Sequence, residues 1–237
     1  MTQSALIFGA SGGIGSALAK RLHQSGWTVH AVSRDATKLD SLPQDIHRIE
    51  ADATRPEGAE QAVEKTGKLD AVVNGIGSLH LKPLHRTTPM EFTEVMRVNV
   101  FSAWAITKAA AGALQSGGSV VLMSSVAAAT GLVNHEAIGA AKGAVEGLVR
   151  SAAASYAGKG IRINAVAPGM TETPMTESLL KGPAREISER FHPLGRVGTP
   201  DDIASAIQWL IDPDQGWVTG QILHVDGGLG SLRGAPR

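Results

Sequence analysis

The sequence predicts an α/β protein with a doubly wound parallel sheet of about seven strands and helices on both faces. Short apolar runs alternate along the chain with longer segments whose apolar residues recur at helical spacing. This alternation favours right-handed crossovers and a parallel sheet. A glycine-rich turn, residues 9–15, follows the first apolar run and opens the first helical segment. The turn argues against a (β/α) barrel, which would show the same alternation.

Each predicted element follows from its local pattern. The first helix is indicated by apolar residues at helical spacing from Ile14 to Leu22, and the longest helices are predicted at 91–115 and 137–157. No linker or repeat divides the chain, so residues 1–237 are expected to form a single domain. The predicted strands are residues 5–8, 27–32, 47–51, 69–73, 119–123, 161–166 and 221–225.

Composition excludes several functions. Lys and Arg number 22 and Asp and Glu number 22, so the formal net charge is zero. A nucleic-acid binder needs a basic face, and an anionic membrane surface attracts basic segments, so neither partner is expected. The chain has no cysteine, which excludes disulfides and thiolate chemistry, and no metal site is predicted. No apolar stretch is long enough for a membrane span and no signal peptide is evident, so we expect a cytoplasmic protein.

The turn at residues 9–15 has the pattern of a dinucleotide-binding site. Gly9 allows the tight turn after the strand, Gly13 allows the backbone to approach a pyrophosphate, and Gly15 allows the helix to pack closely on the sheet. The N-terminus of the following helix offers free N–H groups and a positive dipole end to phosphate. A flexible glycine loop is the alternative, but a strand before and a helix after the turn favour a Rossmann-type site.

The end of the second strand indicates the cofactor. Ser33 and Arg34 stand where an NAD site usually has an acid for the ribose 2′-hydroxyl. A small hydroxyl followed by a guanidinium suits a 2′-phosphate, so NADP is predicted over NAD. The alternative is an Arg34 solvated on a loop and partly neutralised by Asp35.

Motifs along nearly the whole chain resemble those of the short-chain dehydrogenase/reductase family. They are the glycine turn 9–15, the segments 74–77 and 168–173, and the C-terminal patterns 196–204 and 218–228. The residues that this resemblance and the strand pattern assign to the cofactor are Gly9, Ser11, Gly13, Ile14, Gly15, Ser33, Arg34, Asp52, Ala53, Asn74, Gly75, Lys142, Pro168, Gly169, Thr171 and Thr173.

The catalytic motif of the family is incomplete in this sequence. Ser125 matches the family's catalytic serine, Lys142 its lysine, and Asn99 the helix residue that holds a water in the proton relay. The family has tyrosine four residues before the lysine, and here that position is Ile138. The single tyrosine, Tyr156, lies 14 residues beyond Lys142, so a register slip does not explain the difference. Isoleucine carries no proton, and loss of a positioned general acid lowers a rate by about 10²–10⁴-fold.

His135 is the candidate replacement for the missing acid. If the helix already includes it, it lies one turn before Ile138 on the same face, and imidazole is a natural acid near neutral pH. The alternative is a polar residue at the start of the helix, with Asn134 as its cap. Glu136, His80 and His85 are weaker candidates. The sequence therefore leaves open an oxidoreductase of an unknown small molecule with an altered proton donor, a non-catalytic NADP-binding protein, or an isomerisation or elimination on the same scaffold.

Two further features concern assembly and access. Gly139, Gly143 and Gly147 recur at four-residue spacing in a predicted helix, where each glycine costs about 1 kcal/mol relative to alanine. Close approach of another backbone would compensate, and family members commonly pair this helix, so a homotetramer or homodimer is predicted. Residues 170–195 follow the nicotinamide-contact motif and are predicted to form a substrate lid that orders when ligands bind.

Overall fold

The computed structural model describes residues 2–114 and 117–232, and its centre is a parallel sheet of seven strands. The strand order is β3-β2-β1-β4-β5-β6-β7, and all neighbouring pairs are parallel. This confirms the predicted fold class. The strands are β1 Ser4–Phe8, β2 Thr28–Ser33, β3 His47–Glu50, β4 Ala71–Asn74, β5 Gly118–Met123, β6 Ile161–Pro168 and β7 Ile222–Val225.

Helices cover both faces of the sheet. Helices α1 and α7 pack against each other and cover one face, and α2, α4 and α5 cover the other. Both faces are sealed by aliphatic side chains and alanines, as the near-continuous apolar strands require. The helices are α1 Gly13–Gln24, α2 Pro56–Glu64, α3 Pro89–Met96, α4 Ser102–Ala113, α5 Glu136–Tyr156, α6 Pro183–Phe191 and α7 Pro200–Ile211.

The long helix predicted at 91–115 is two helices joined by a π-helical turn. The turn, Arg97–Phe101, separates α3 from α4, and residue 115 lies outside the described residues. The apolar period continues through the turn, so periodicity alone does not reveal it. A capping box formed by Thr88 and Glu91, with Pro89 in the first turn, fixes the start of α3. π-helical turns are frequent at functional sites, and this one contains Asn99.

The strand order places the site. The chain winds outward from β1 through β2 to β3, then returns to build β4 to β7 on the other side of β1. The order therefore reverses between β1 and β4, which leaves a crevice outside their carboxyl ends where ligands of such sheets bind. No helix within the described residues is long and apolar enough to cross a membrane.

Candidate active site

The glycine turn after β1 is built as the sequence predicts. Gly9 has φ of 74°, and a Cβ there would stand 2.7 Å from the carbonyl carbon of Gly75, which follows β4. A Cβ on Gly15 would overlap the carbonyl oxygen of Gly9. Glycine is therefore required at both positions, because the turn is pressed between a neighbouring strand end and its own helix.

The N-terminus of α1 is open to a ligand. Gly12 is the N-cap residue and has no side chain to bond the free N–H groups of the first turn. A Cβ on Gly13 would stand 3.0 Å from the Thr173 methyl group and 3.3 Å from the ring of Pro174. The segment after β6 therefore lies directly over the turn, which adds a packing reason for Gly13 to its predicted approach to phosphate.

The end of β2 is joined to the glycine turn by side chains. The Ser33 hydroxyl donates to the Ser11 hydroxyl at 3.1 Å. Arg34 is exposed and makes no ion pair with any described residue. Asp35 does not neutralise it, since its carboxylate caps the next turn by accepting from Thr37 N–H at 3.1 Å and from the Thr37 hydroxyl at 2.6 Å. A free guanidinium beside two hydroxyls fits a phosphate.

Asp52 follows β3 and Asn74 ends β4, so both lie at the carboxyl ends of the strands. Burial disfavours the Asp52 charge, but bonds from the Thr54 hydroxyl and N–H, with Arg34 and Arg97 nearby, hold its pKa below the usual value. The side chain of Asn74 accepts from Ile76 N–H at 2.9 Å and shapes the loop after β4.

Ala53 contributes only its backbone to this edge of the sheet. Its methyl group is buried in the core beneath α2 and α4, so it does not face the crevice. A cofactor contact at this position would have to come from main-chain atoms.

A cavity of about 580 Å³ lies above the carboxyl ends of the strands. Its walls come from the glycine turn, the loops after β4, β5 and β6, the start of α5, and α6. Eight of the predicted residues do not line it: Gly9, Ser11, Ser33, Arg34, Asp52, Ala53, Asn74 and Asn99. The predicted site residues that do line it are Gly13, Ile14, Gly15, Gly75, Ser125, His135, Ile138, Lys142, Pro168, Gly169, Thr171 and Thr173.

Lys142 lines this cavity from the second turn of α5. Its ammonium is buried and donates to the Met123 carbonyl, at the end of β5, at 2.8 Å. Burial lowers the pKa of Lys142 to about 8, because no carboxylate compensates for the lost water. A Cβ on Gly77 would stand 3.5 Å from the Lys142 nitrogen and 3.4 Å from Asn99 Oδ1. Glycine at position 77 leaves that space open between the two groups.

The side chain of Asn99 makes three hydrogen bonds within the protein. Its amide donates to the Ser78 hydroxyl and to the Val95 carbonyl, both at 2.9 Å, and its oxygen accepts from Ser78 N–H at 3.2 Å. Asn99 thereby fixes the loop after β4 against the π-helical turn.

The two serines after β5 have different partners. The Ser124 hydroxyl is buried and donates to Glu146 Oε1 at 2.8 Å. The Ser125 oxygen accepts from Ala127 N–H at 3.2 Å, and no described residue accepts its hydroxyl proton. Ser125 is therefore the one of the pair that can donate to a ligand oxygen in the cavity.

Ile138 lines the same cavity in the first turn of α5, four residues before Lys142 and on the same face. It is only 3% exposed and packs in a small apolar cluster with Val95 and Ala141. The wall beside Ser125 is therefore apolar at this point.

His135 precedes α5 as its N-cap residue rather than lying within it. Its Nδ1 is 2.8 Å from the Val133 carbonyl, so Nδ1 carries a hydrogen and Nε2 is the ring nitrogen left for other partners. Asn134 is not the cap. It has φ of 63°, a left-handed conformation that asparagine tolerates better than most residues. His135 lines the cavity, whereas Glu136, His80 and His85 do not.

His192 is a residue that the sequence reading missed. It is buried, its Nδ1 bonds the Ser188 carbonyl at 2.6 Å, and its Nε2 accepts from Met170 N–H at 3.1 Å. It therefore ties α6 to the segment after β6. A Cβ on Gly169 would stand 2.7 Å from Nε2, so this glycine makes room for the ring. The hydrogen bond between His192 and Met170 cannot be predicted from sequence spacing, because His192 follows α6 whereas Met170 follows β6.

Comparison with known proteins identifies the family. A family model described as Enoyl-(Acyl carrier protein) reductase matches residues 9–230. The chain is 35% identical over 238 residues to 3-oxoacyl-(acyl-carrier-protein) reductase FabG of Thermotoga maritima. The alignment covers 94% of this chain and 96% of that protein. The chain belongs to the short-chain dehydrogenase/reductase family.

Other members of the family give the same picture. A tropinone reductase homologue of Arabidopsis thaliana is 34% identical over 242 residues, covering 95% of this chain and 92% of that protein. A solved structure of ElxO with NADP bound superposes with a TM-score of 0.90 at 30% identity, covering 98% of this chain and 100% of that one. Aldohexose dehydrogenase of Thermoplasma acidophilum, in ligand-free form, superposes with a TM-score of 0.89 at 28% identity. The superposition covers 100% of this chain and 97% of that one.

Proposed function

We propose that this chain is an NADP(H)-dependent oxidoreductase acting on a small-molecule carbonyl or alcohol, with His135 in place of the family's tyrosine as proton donor. The observation that carries the proposal is the joint lining of one cavity by Ser125, Lys142, Ile138 and His135. The first two match the family's catalytic residues, the third is apolar where tyrosine is expected, and the fourth can carry a proton.

The residues around the crevice fit NADP. The uncapped N-terminus of α1 provides N–H groups for the pyrophosphate. Arg34, beside the bonded pair Ser11 and Ser33, provides a cation for the 2′-phosphate. ElxO, a relative by structure, has NADP bound. When bound, the nicotinamide supplies or accepts the hydride.

The protein's own groups then handle the substrate oxygen and its proton. The Ser125 hydroxyl, free of any described acceptor, donates to that oxygen and polarises the carbonyl. His135 with Nδ1 bonded to the Val133 carbonyl holds Nε2 available. In the protonated ring, Nε2 releases a proton to the developing alkoxide, and in the neutral ring it accepts one from an alcohol. Lys142 adds positive charge beneath the site.

The native protein and three variants test the proton step. The native protein is expected to oxidise NADPH slowly with ketones. His135→Ala should lose most of this activity while NADPH still binds, and Glu136→Ala, altered at the neighbouring position outside the cavity, should retain it. Ile138→Tyr should raise the activity about 100-fold, because the phenol stands one turn from Lys142, whose charge lowers the pKa of the phenol. Substantial native activity that neither His135→Ala nor Ile138→Tyr alters would contradict this proton path.

A second candidate is an NADP-binding protein without turnover. The burial of Ile138 in an apolar cluster with Val95 and Ala141 favours it, since that part of the wall is packed as a core rather than as a proton-transfer site. Tight NADPH binding with no reduction of any carbonyl, by the native protein or by Ile138→Tyr, would support this candidate over the first.

We also propose that the chain forms a homo-oligomer through α5. A Cβ on Gly139 would meet the Ala127 carbonyl oxygen at 2.9 Å, so packing within the chain already explains this glycine. Gly143 and Gly147 have nothing within 4 Å of the corresponding point. Their helix cost is not offset within the described residues, which supports close approach of a second copy.

A further inference from the structure

The outer part of the cavity is apolar and almost without charge. Beyond Ser125, its lining includes Leu132 and Val133 before α5, Met175 after β6, and Phe191 at the end of α6. Among the described residues that line it there is no aspartate, glutamate or arginine. A ligand in this region would therefore meet mainly hydrocarbon.

The titratable groups of the lining are largely committed to the protein. The Lys142 ammonium bonds the Met123 carbonyl, and both ring nitrogens of His192 are engaged. His135 keeps one ring nitrogen free, but the proposed function uses it at the substrate oxygen. An ionised group on another part of a ligand would lose its water with no partner in reach, which is costly.

The lining of the cavity includes apolar side chains that are exposed. Val133 is 86% exposed, Phe191 is 66% exposed and Met175 is 53% exposed. Helix α6, which carries Phe191, has no buried residue. Covering these side chains with hydrocarbon would release free energy in proportion to the apolar area removed from water.

We propose that the site takes a neutral, apolar substrate whose alkyl or ring portion lies between Val133, Met175 and Phe191, with its oxygen at Ser125. Placing the oxygen there rests on the proposed function, whereas recognition of the apolar portion rests on the lining alone. Substrates with a carboxylate or phosphate on that portion are disfavoured. Val133 and Phe191 are thus specificity-determining residues of the site.

Binding can be measured without turnover. Titration calorimetry with 2-nonanone is performed on the native protein with and without NADP⁺, which has no hydride to give. The matched ligand is 8-oxononanoate, in which a carboxylate replaces the terminal methyl group. The ketone is expected to bind at least about tenfold more tightly than the oxo-acid, because the acid must desolvate an unpaired charge.

Two variants and a control locate the ligand. Val133→Ser and Phe191→Ser should each weaken binding of 2-nonanone about fivefold, since each removes apolar area from the lining. Met90→Ser is the matched control, because Met90 is 83% exposed and lies on α3 outside the cavity. It should leave binding unchanged. All three positions are exposed, so the substitutions leave the core intact.

The results separate this inference from the proposed function. Binding of 2-nonanone that depends on Val133 and Phe191, without any NADPH oxidation, would uphold the inference and contradict the proposed catalytic activity. Equal or tighter binding of 8-oxononanoate would overturn the inference, even if NADPH turnover is observed. An equal loss in Met90→Ser would also overturn it, because the ketone would then be adsorbing to exposed apolar residues in general.

Discussion

Replacement of the buried Lys142 by methionine should change how the stability of this protein depends on pH. Methionine has a similar length and no charge, so it fills the same space in the first half of α5. The pKa of Lys142 falls from 10.5 to about 8 on folding because of burial. Between these values the unfolded chain binds more protons than the folded one, so the native protein gains stability as pH rises. Below about pH 8 the full cost of the buried charge is present, and above about 10.5 it is relieved.

The magnitude follows from the shift. One pKa unit is worth about 1.4 kcal/mol, so the buried charge costs about 3 kcal/mol at neutral pH. Linkage then makes the native protein gain unfolding free energy relative to Lys142→Met as pH rises, by about 1 kcal/mol from pH 7 to pH 9 and by about 2–3 kcal/mol from pH 7 to pH 10. Loss of the bond to the Met123 carbonyl adds a penalty to the variant, but this penalty does not vary with pH.

Urea unfolding of both proteins at pH 7, 9 and 10 measures the difference in unfolding free energy. Subtracting one protein from the other removes the contribution of every group that they share. Lys65→Met is the control, because Lys65 is exposed at the end of α2 and its ammonium stays in water. Its difference from the native protein should stay constant. A difference for Lys142→Met that is also constant from pH 7 to pH 10 would refute the argument from burial.

Three further outcomes are expected. Arg34→Ala should weaken NADPH binding about tenfold or more and leave NADH binding nearly unchanged, as measured by protein fluorescence, and equal losses would contradict the 2′-phosphate contact. His192→Ala should cost about 1–3 kcal/mol in urea unfolding because it removes a buried ring and leaves the half-buried Met170 N–H without its acceptor, and a loss below about 0.5 kcal/mol would show that water replaces the ring. Light scattering should give a mass above that of a monomer, which Gly147→Lys lowers and Gly67→Lys does not, and a monomeric native protein would contradict assembly through α5.

The sequence predicts most of the scaffold because its signals are local. All seven predicted strands end within about two residues of where the structure ends them, and all except β3, which reads His-Arg-Ile-Glu, are apolar runs. The roles of Gly9 and Gly15 can be predicted for the same reason, since a tight turn at Gly9 and close packing of the helix at Gly15 each require the absence of a Cβ. The π-helical turn around Asn99 gives no such signal, because the apolar period on either side continues through it.

The candidate site is readable only in part. The spacing from Ser125 to Ile138 and Lys142 places them on one cavity wall, and the structure brings them together there. The sequence does not indicate that Asn99 is occupied by Ser78, since these residues meet through the loop after β4.

By itself, the sequence determined the parallel sheet, the glycine turn between β1 and α1, and an isoleucine where the family has a tyrosine. These depend on period, glycine geometry and spacing within a few turns of chain. The tertiary structure alone decided that Lys142 is buried against Met123 and that His192 joins α6 to the segment after β6. It also decided that Gly139 packs against the Ala127 carbonyl of its own chain. Those contacts join segments that the sheet order brings side by side. The burial that lowers the pKa of Lys142 exists only after these segments have packed.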